Sequence, residues 1–425
     1  MHKIITLSLL FVFSGMIGFS QNNTIENFEI SGNKKIKMAF LKRVINLQEG
    51  SVLDSAVVER DIRFLKRLPS VANASYTIEK KQNGQYRVVY QLVENFTIIP
   101  SFNVYTSNNG EFAYRIGLSE FNLFGKNMVF GGFFQKDIYN SYGIHFKAPY
   151  LFSKKMGLSL AYKDFTTQEP VFFEPRNPVD FKYNNVSYEA MLSYELDIKN
   201  KFEIGVNLFT EDYEFKRTEG DERPDPPITE LITDKQLYKF VYEYNNVSYD
   251  YQYVSGFKNI FNYQYVTTND ETASPKFSIA WNDFLYYKRY GVSGNLACRL
   301  RLGLATNNNS PFAPFSLDNN VNIRGVGNTI DRGTGVVVLN TEYRQTLFER
   351  NSFSLQGNAF VDSGSWRNPG GDLGDFSQSE NIRVFSGVGL RFIHKKIFNA
   401  VFRIDYGFGL TENTQGMVFG IGQYF

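Results

Sequence analysis

Residues 398–410 read FNAVFRIDYGFGL, and an apolar side chain occupies every second position of this stretch. That spacing is typical of a β-strand, whose successive side chains point to opposite faces. One face is predicted to carry Phe398, Ala400, Phe402, Ile404, Tyr406, Phe408 and Leu410. The other is predicted to carry Asn399, Val401, Arg403, Asp405, Gly407 and Gly409. The stretch therefore predicts a strand with one entirely apolar face and one largely polar or small face.

The last ten residues and the stretch 290–304 repeat this alternation. In the last ten, the residues predicted to face outward are Met417, Phe419, Ile421 and Phe425, with Gly420, Gly422 and Tyr424 inward. In 290–304, the predicted outward set is Val292, Leu296, Cys298, Leu300, Leu302 and Leu304, with Ser293, Asn295, Arg299 and Arg301 inward. Both stretches fit a membrane β-barrel, in which the apolar face of each strand contacts lipid and the polar face lines the lumen.

The same test along residues 96–425 predicts sixteen strands. They lie near 97–106, 111–121, 127–137, 142–150, 156–165, 182–195, 201–213, 236–247, 256–267, 273–286, 290–304, 335–345, 352–362, 384–393, 398–410 and 416–425. The long connections, 166–181, 214–235, 305–334 and 363–383, all follow odd-numbered strands, as expected of a barrel with long loops at one end only. We therefore predict an all-β transmembrane barrel of about sixteen antiparallel strands. A soluble β-propeller or sandwich is the alternative, but it would not place large apolar residues outward in strand after strand.

The composition fits a barrel and excludes several other classes. No apolar run approaches the ~20 residues that a spanning helix needs, and a mean hydropathy of −0.30 suits strands that show lipid only alternate residues. A single cysteine, Cys298, excludes an internal disulfide framework. A net charge of +2 gives no indication of nucleic-acid binding.

Residues 1–20 and 21–95 differ in character from the rest. The first segment has a basic start, a short apolar run and small residues, the pattern of a secretory signal peptide. In the second, apolar residues at helical spacing predict one helix over 40–47 and another that Asp54 or Ser55 caps and Pro69 ends. Strands 72–81 and 85–94 flank an Asn-Gly hairpin signal. With a first strand after Thr24, the order is β-α-α-β-β.

That order, directly ahead of a barrel, resembles a POTRA domain, the periplasmic module of the BamA/TamA superfamily. In the longest loop, Ile323-Arg324-Gly325 resembles the Val/Ile-Arg-Gly motif of that superfamily, although Val326 replaces the usual aromatic residue. The segments 340–344 and 360–364 resemble two elements that carry its acidic positions. The segments 122–127, which include Asn122 and Gly125, and 148–152 resemble its periplasmic turns.

Strand parity points Glu342 and Asp362 into the lumen, and the resemblance implies that both face Arg324. A guanidinium has five donors in fixed geometry and stays charged, so it can clamp a loop between two carboxylates. We predict a structural loop lock of Arg324, Gly325, Glu342 and Asp362. No nucleophile, metal-ligand set or base accompanies these residues, so the sequence predicts no cofactor, no metal and no enzymatic activity. An outer-membrane enzyme is the less favoured alternative, because His145 and His394 are the only histidines after the signal peptide.

The first and last strands must meet to close the barrel. Pro100 lies in the first and lacks the amide hydrogen that a ladder needs, while Gly420 and Gly422 weaken the last. Phe425 resembles the aromatic signal at the end of outer-membrane barrels. We predict that this seam is the weakest joint, and the resemblance implies that it opens sideways for a client strand. The alternative is that Pro100 only marks where the chain meets the membrane.

The resemblance implies a factor in the outer membrane of a Gram-negative bacterium that inserts or translocates proteins, with its N-terminal domain in the periplasm. The implied partners are unfolded outer-membrane clients or a secreted partner, periplasmic or lipoprotein accessory subunits, and outer-membrane lipid. An edge strand of the small domain could take up a client segment by β-augmentation, or the domain could be a spacer. A dedicated secretion channel and a passive pore stay open as alternatives.

Overall fold

The computed structural model describes residues 23–106, 112–174, 177–217, 220, 222–268, 276–318, 322–326, 331–397 and 401–425. The predicted signal peptide, residues 1–20, lies outside these ranges, as do Phe398 to Ala400 of the stretch quoted first. Within them, no helix is both long and apolar enough to cross a membrane.

The N-terminal domain has the predicted order of elements. These are β1 (Ile25–Ser31), α1 (Met38–Val44), α2 (Ser55–Leu65), β2 (Val71–Lys80) and β3 (Tyr86–Glu94). In the sheet, β3 lies between the other two strands, parallel to β1 and antiparallel to β2. Asp54 caps α2 by accepting a hydrogen bond from the Ala56 amide at 2.8 Å, as predicted.

Helix α1 ends earlier than the predicted 40–47, and buried Asp61 explains why. Its carboxylate accepts hydrogen bonds from the backbone amides of Asn46 and Leu47 at 2.9 and 3.0 Å. Those amides are therefore unavailable to a further helical turn. Asp61 also accepts a hydrogen bond from the Tyr90 hydroxyl at 3.2 Å. Burial, together with this carboxylate, raises the pKa of Tyr90.

Sixteen longer strands form one antiparallel sheet in chain order, the number predicted. They are β4 (Ile98–Thr106), β5 (Phe112–Leu123), β6 (Met128–Lys136), β7 (Asn140–Ala148), β8 (Met156–Glu174), β9 (Asn177–Glu195), β10 (Asn200–Phe215), β11 (Glu230–Asp250), β12 (Tyr253–Thr268), β13 (Phe277–Tyr290), β14 (Gly294–Ala305), β17 (Gly335–Glu349), β18 (Phe353–Arg367), β19 (Ile382–His394), β20 (Val401–Gly409) and β21 (Gln415–Ile421). A small hairpin of β15 (Phe315–Leu317) and β16 (Asp331–Gly333) lies in the loop between β14 and β17.

The two faces of the barrel differ as the alternation predicts. Large apolar residues on the outer face are exposed, among them Leu192, Ile204, Leu302, Phe402 and Phe408. Polar and charged residues on the inner face are buried, among them Asn295, Asn340, Arg391, Arg403 and Asp405. The interior is therefore a polar network enclosed by a wall whose outside is apolar.

The predicted loop 166–181 is mostly strand. β8 continues to Glu174 and β9 begins at Asn177, so each has 19 residues. Pro170 pairs with Asp180 in this extension. The predicted strands stop at 165 and resume at 182, but β8 and β9 stay paired through most of this stretch.

The prediction that Phe425 faces outward is wrong. Strand β21 ends at Ile421, and Gly422 has a φ of 96°, a left-handed conformation that breaks the alternation of faces. Residues 422–425 consequently turn into the barrel. The Phe425 ring packs in an interior apolar cluster that includes Leu285 and Ala297, with the Arg299 guanidinium 5.6 Å from its centroid. A ring face attracts a cation, and the inner wall is rich in arginine.

Candidate functional site

Arg324 lies in the loop between β14 and β17 and contacts both carboxylates named in the sequence analysis. Its Nε and Nη2 donate to the two oxygens of Asp362 at 2.8 and 3.0 Å, and its backbone amide donates to the same carboxylate at 3.0 Å. Its Nη1 donates to Glu342. All three side chains are fully buried. The structure thus brings together a loop residue, β17 and β18 through charge-assisted hydrogen bonds.

Aromatic rings flank the same guanidinium. Its centre lies 3.7 Å from the ring centroid of Phe360 on β18 and 4.6 Å from that of Tyr424. Tyr424 is itself buried, and the Arg403 guanidinium lies 4.9 Å from its ring. The turned-in segment 422–425 therefore contacts the loop arginine directly.

Glu342 accepts hydrogen bonds from three arginines. Besides Arg324, it accepts hydrogen bonds from Nε of Arg344 and from Nη2 of Arg391, the latter at 2.5 Å. Asp362 differs, because Arg324 supplies its three side-chain and backbone hydrogen bonds from the loop. The two carboxylates thus depend on Arg324 to different degrees.

Gly325 has a φ of 98°, and a Cβ there would lie 2.7 Å from the backbone of Gly407 on β20. Both the left-handed backbone and this close approach require glycine. Val326 follows at 1% exposure in an apolar cluster with Ile323, Val338 and Phe385. A valine fills this position where the resembled motif has a ring. Val321 and Gly327, which flank residues 322–326 in the sequence, lie outside the described residues.

The same loop has a second attachment on the opposite wall, which sequence reasoning missed. The Phe312 ring lies 4.3 Å from that of Tyr213 on β10 and 6.2 Å from that of Phe173 on β8. Arg332 forms an ion pair with Glu169 of β8. In the sheet order β8 is the fifth barrel strand and β18 the thirteenth of sixteen, so the loop crosses the full width of the lumen.

The seam between the first and last strands differs from every other joint of the barrel. Fifteen neighbouring pairs are hydrogen-bonded, but within the described residues no ladder joins β4 to β21. The Phe96 amide, ahead of β4, donates to the Lys396 carbonyl at 3.1 Å, and the rings of Phe102 and Phe419 lie 6.5 Å apart. Pro100 pairs with Leu118 of β5 and belongs to this open edge.

Gly420 in β21 and Gly422 just after it both lie close to β20. A Cβ at Gly420 would approach Nη2 of Arg403 to 2.9 Å. The Gly422 amide donates to the Val401 carbonyl at 2.7 Å where the chain turns inward. These contacts join the end of β21 to β20.

The turn containing Asn122 and Gly125 attaches the N-terminal domain to the barrel. The Asn122 side chain accepts a hydrogen bond from the Asn127 amide at 3.0 Å, and Asn127 in turn accepts one from the Ser70 hydroxyl at 2.6 Å. The Gly125 carbonyl accepts a hydrogen bond from the Lys37 amide at 2.9 Å. Gly125 has a φ of 70°, and a Cβ there would collide with the Lys35 carbonyl. The sequence indicated a turn here but not this contact.

A second turn of the barrel completes the core of the domain. Tyr150, between β7 and β8, is 9% exposed and packs against Phe40 and Phe64, with ring centroids 6.0 and 5.4 Å away. Arg43 donates to the Tyr150 carbonyl at 2.7 Å. Arg67 donates to the carbonyl of Ile198, between β9 and β10, and to that of Asn245 on β11, and burial lowers the pKa of Arg67.

A cavity of about 670 Å³ lies between the domain and the barrel end above it. Its lining includes Phe64, Arg67, Glu195, Tyr249 and Ile393, a mixture of aromatic, aliphatic and charged side chains. In the part of the chain that the structure describes, no group of three or more His, Cys, Asp or Glu could hold a metal ion.

Comparison with known proteins matches both parts of the chain. Residues 23–95 match the POTRA family, described as surface antigen variable number repeat. No curated protein sequence matches the chain. The structure of BamA from Haemophilus ducreyi lacking POTRA domains 1–3 is 15% identical, with a TM-score of 0.55 over 94% of this chain and 84% of that one.

Two further solved structures are similar. CdiB from Acinetobacter baumannii is 15% identical, with a TM-score of 0.63 over 95% of this chain and 74% of that one. CdiB from Escherichia coli is 11% identical, with a TM-score of 0.63 over 94% and 76%. At such identities the likeness shows a shared fold over nearly the whole chain.

Proposed function

We propose that this BamA/TamA-like chain, with one POTRA domain ahead of a sixteen-stranded barrel, inserts proteins into an outer membrane through the joint between β4 and β21. The barrel lies in the membrane and the POTRA domain in the periplasm. The observation that carries the proposal is the unladdered seam, since the other fifteen joints are hydrogen-bonded.

The seam suits a client strand for an energetic reason. A backbone amide or carbonyl without a hydrogen-bond partner costs several kcal/mol in hydrocarbon. An unpaired strand edge therefore strongly favours pairing with an added strand. Pro100 removes one donor from the β4 edge, and the inward turn at Gly422 shortens the β21 edge. A client strand that hydrogen-bonds to these edges satisfies the groups that the barrel leaves open.

Inside the barrel, the loop lock contacts the segment that follows β21, one of the two seam strands. Arg324 joins the loop to β17 and β18, and Tyr424 lies on the same guanidinium. The position of the segment after β21 therefore depends on the lock. Because the loop also attaches to β8, it obstructs a straight path through the lumen, which favours sideways release over export through the barrel.

Cross-linking tests the seam directly. In a Cys298→Ser background, Phe102→Cys with Phe419→Cys places two thiols across the unladdered joint, to be joined by a short bis-maleimide. The matched control keeps Phe419→Cys and pairs it with Ile404→Cys, because Ile404 and Phe419 are already partners in the β20–β21 ladder. We expect cross-linking to abolish complementation of a depletion strain in the first variant only. Normal complementation by the locked seam would overturn the proposal.

The outer-membrane proteome of the depleted strain separates the alternatives. Insertion predicts loss of many barrel proteins. Loss of a single secreted protein would instead indicate a dedicated secretion channel, and an unchanged proteome would indicate a passive pore. If the POTRA domain captures clients at the open edge of β2, replacing residues 23–95 with an unrelated domain should abolish function, as deleting them should. If the domain is only a spacer, the replacement should be tolerated.

A further inference from the structure

Helix α1 lies directly beneath the barrel wall, between two turns of the barrel. At one end the Lys37 amide bonds to Gly125 in the β5–β6 turn at 2.9 Å. At the other end Arg43 bonds to Tyr150 in the β7–β8 turn at 2.7 Å. The side chains that α1 and these turns leave exposed therefore form one continuous edge below the apolar outer face of β5 to β8.

This edge, here called the basic rim, combines four exposed lysines with two exposed rings. Its members are Lys35, Lys37, Lys42, Lys126, Phe124 and Phe152. Phe124 is 70% exposed and Phe152 59%. Phe124 also has a φ of 58°, so the turn holds its ring outward in a backbone conformation that bulky residues rarely adopt.

The lysines of the rim differ from two basic residues at the opposite end of the domain, which form ion pairs. At the opposite end, Lys81 pairs with Glu26 at 2.5 Å and Arg87 pairs with Glu29 at 2.6 Å. Among the described residues, no carboxylate lies within ion-pair distance of the four rim lysines. The nearby Glu94 carboxylate already accepts hydrogen bonds from three successive backbone amides, 34–36. The rim thus carries uncompensated positive charge next to apolar surface.

We propose that the basic rim binds the headgroups of anionic phospholipids in the periplasmic leaflet. The proposal rests on the membrane placement in the proposed function, which puts the rim at the level of the headgroups. The lysine ammonium groups meet the phosphates, and the rings of Phe124 and Phe152 lie at the interface, where membrane β-barrels carry girdles of aromatic residues. Leu118, Phe130 and Ile144 continue the apolar surface above them.

The expected effect follows from the charge of a membrane surface. Each lysine near an anionic surface strengthens binding by roughly fivefold. Removing three charges should therefore weaken binding by on the order of 100-fold at low salt, and by at least tenfold where detergent competes. The preference should also fade with added salt, because exposed charges are screened over about 3 Å at 1 M ionic strength.

The test uses the purified full chain in a neutral detergent and measures bound lipid by native mass spectrometry. The probes are dioleoylphosphatidylglycerol and, for comparison, dioleoylphosphatidylcholine. The rim variant is Lys37→Gln, Lys42→Gln and Lys126→Gln together, and the control with the same charge change is Lys80→Gln, Lys81→Gln and Arg87→Gln. We expect the native chain and the control to prefer the anionic lipid at least tenfold, and we expect this preference to be at least tenfold smaller in the rim variant, which keeps Lys35.

A second variant, Phe124→Asn with Phe152→Ser, keeps the charges and removes the rings. Asparagine tolerates the left-handed backbone at position 124. It should bind both lipids less while retaining the anionic preference. Equal binding of both lipids by the native chain, or an intact preference in the rim variant, overturns the proposal. A heat-modifiable barrel in every sample shows that such a failure concerns the rim and not the proposed membrane barrel.

Discussion

Removing Arg324 should destabilise the barrel by leaving Asp362 buried without a cation. In Arg324→Ala, Asp362 loses the hydrogen bonds from Nε and Nη2 at 2.8 and 3.0 Å, and the Phe360 ring loses the guanidinium that lies 3.7 Å from its centroid. Breaking one side of a buried ion pair costs about 3–5 kcal/mol. Glu342 suffers less, because Arg344 and Arg391 still donate to it. Asp362 is therefore the residue that sets the magnitude.

The free energy of unfolding in urea, followed by the shift of the barrel on unheated gels, measures this cost. Arg324→Ala with Asp362→Ala should regain about half of it or more, since no unpaired carboxylate is then buried. Arg324→Lys should fall between, because it restores charge without the fork of donors. The control is Arg344→Ala, whose Nη1 and Nη2 have no hydrogen-bond partner among the described residues. A loss under about 1 kcal/mol for Arg324→Ala, or a larger loss for the control, would refute this account.

Three other outcomes are expected. Tyr150→Ala should cost the POTRA domain about 3–5 kcal/mol, seen as faster proteolysis of residues 23–95 while the barrel stays heat-modifiable; unchanged proteolysis would contradict the shared core. Phe312→Ala should raise the single-channel conductance in planar bilayers, because it removes the aromatic contact of the loop with β8 and β10 and leaves only the Arg332–Glu169 ion pair there; an unaltered conductance would show that the aromatic contact does not close the lumen. Burial raises the pKa of Asp331, in the loop hairpin, to about 6, above its value in the unfolded chain, so stability should increase as the pH falls from 7 to 4. Asp331→Asn should remove that increment, and an identical pH profile in the variant would be inconsistent with it.

The barrel could be predicted from the sequence because the alternation of faces is a local signal that survives in nearly every strand. Leu302 and Phe402 outward, with Arg299 and Asp405 inward, follow from parity alone. The contacts of Arg324 with Glu342 and Asp362 are consistent with the same parity, combined with a resemblance. The role of these residues as a lock stays a prediction.

The features that escaped prediction depend on contacts between distant parts of the chain. Asp61 ends α1 by accepting hydrogen bonds from amides that lie 15 and 14 residues before it in the chain. No residue near Val44 indicates this contact in the sequence. Gly422 redirects Phe425, but a glycine in a strand pattern does not reveal that its φ is positive. Tyr150 stands at the end of the predicted strand 142–150 and Phe312 in the predicted loop 305–334, and alternation along the chain gives no reason to expect that each ring fills an aromatic cluster elsewhere.

The insertion of Tyr150 between Phe40 and Phe64 limits how freely the two parts of the chain can be exchanged in chimeras or during evolution. A POTRA domain grafted from a relative would have a core shaped to pack against a different barrel turn. The Tyr150 ring of this barrel would then lack a matching site in the domain. Exchange should succeed only when residues 149–155 travel with the domain. Substitutions at Phe40, Phe64 and Tyr150 are accordingly expected to covary across relatives that keep a single such domain.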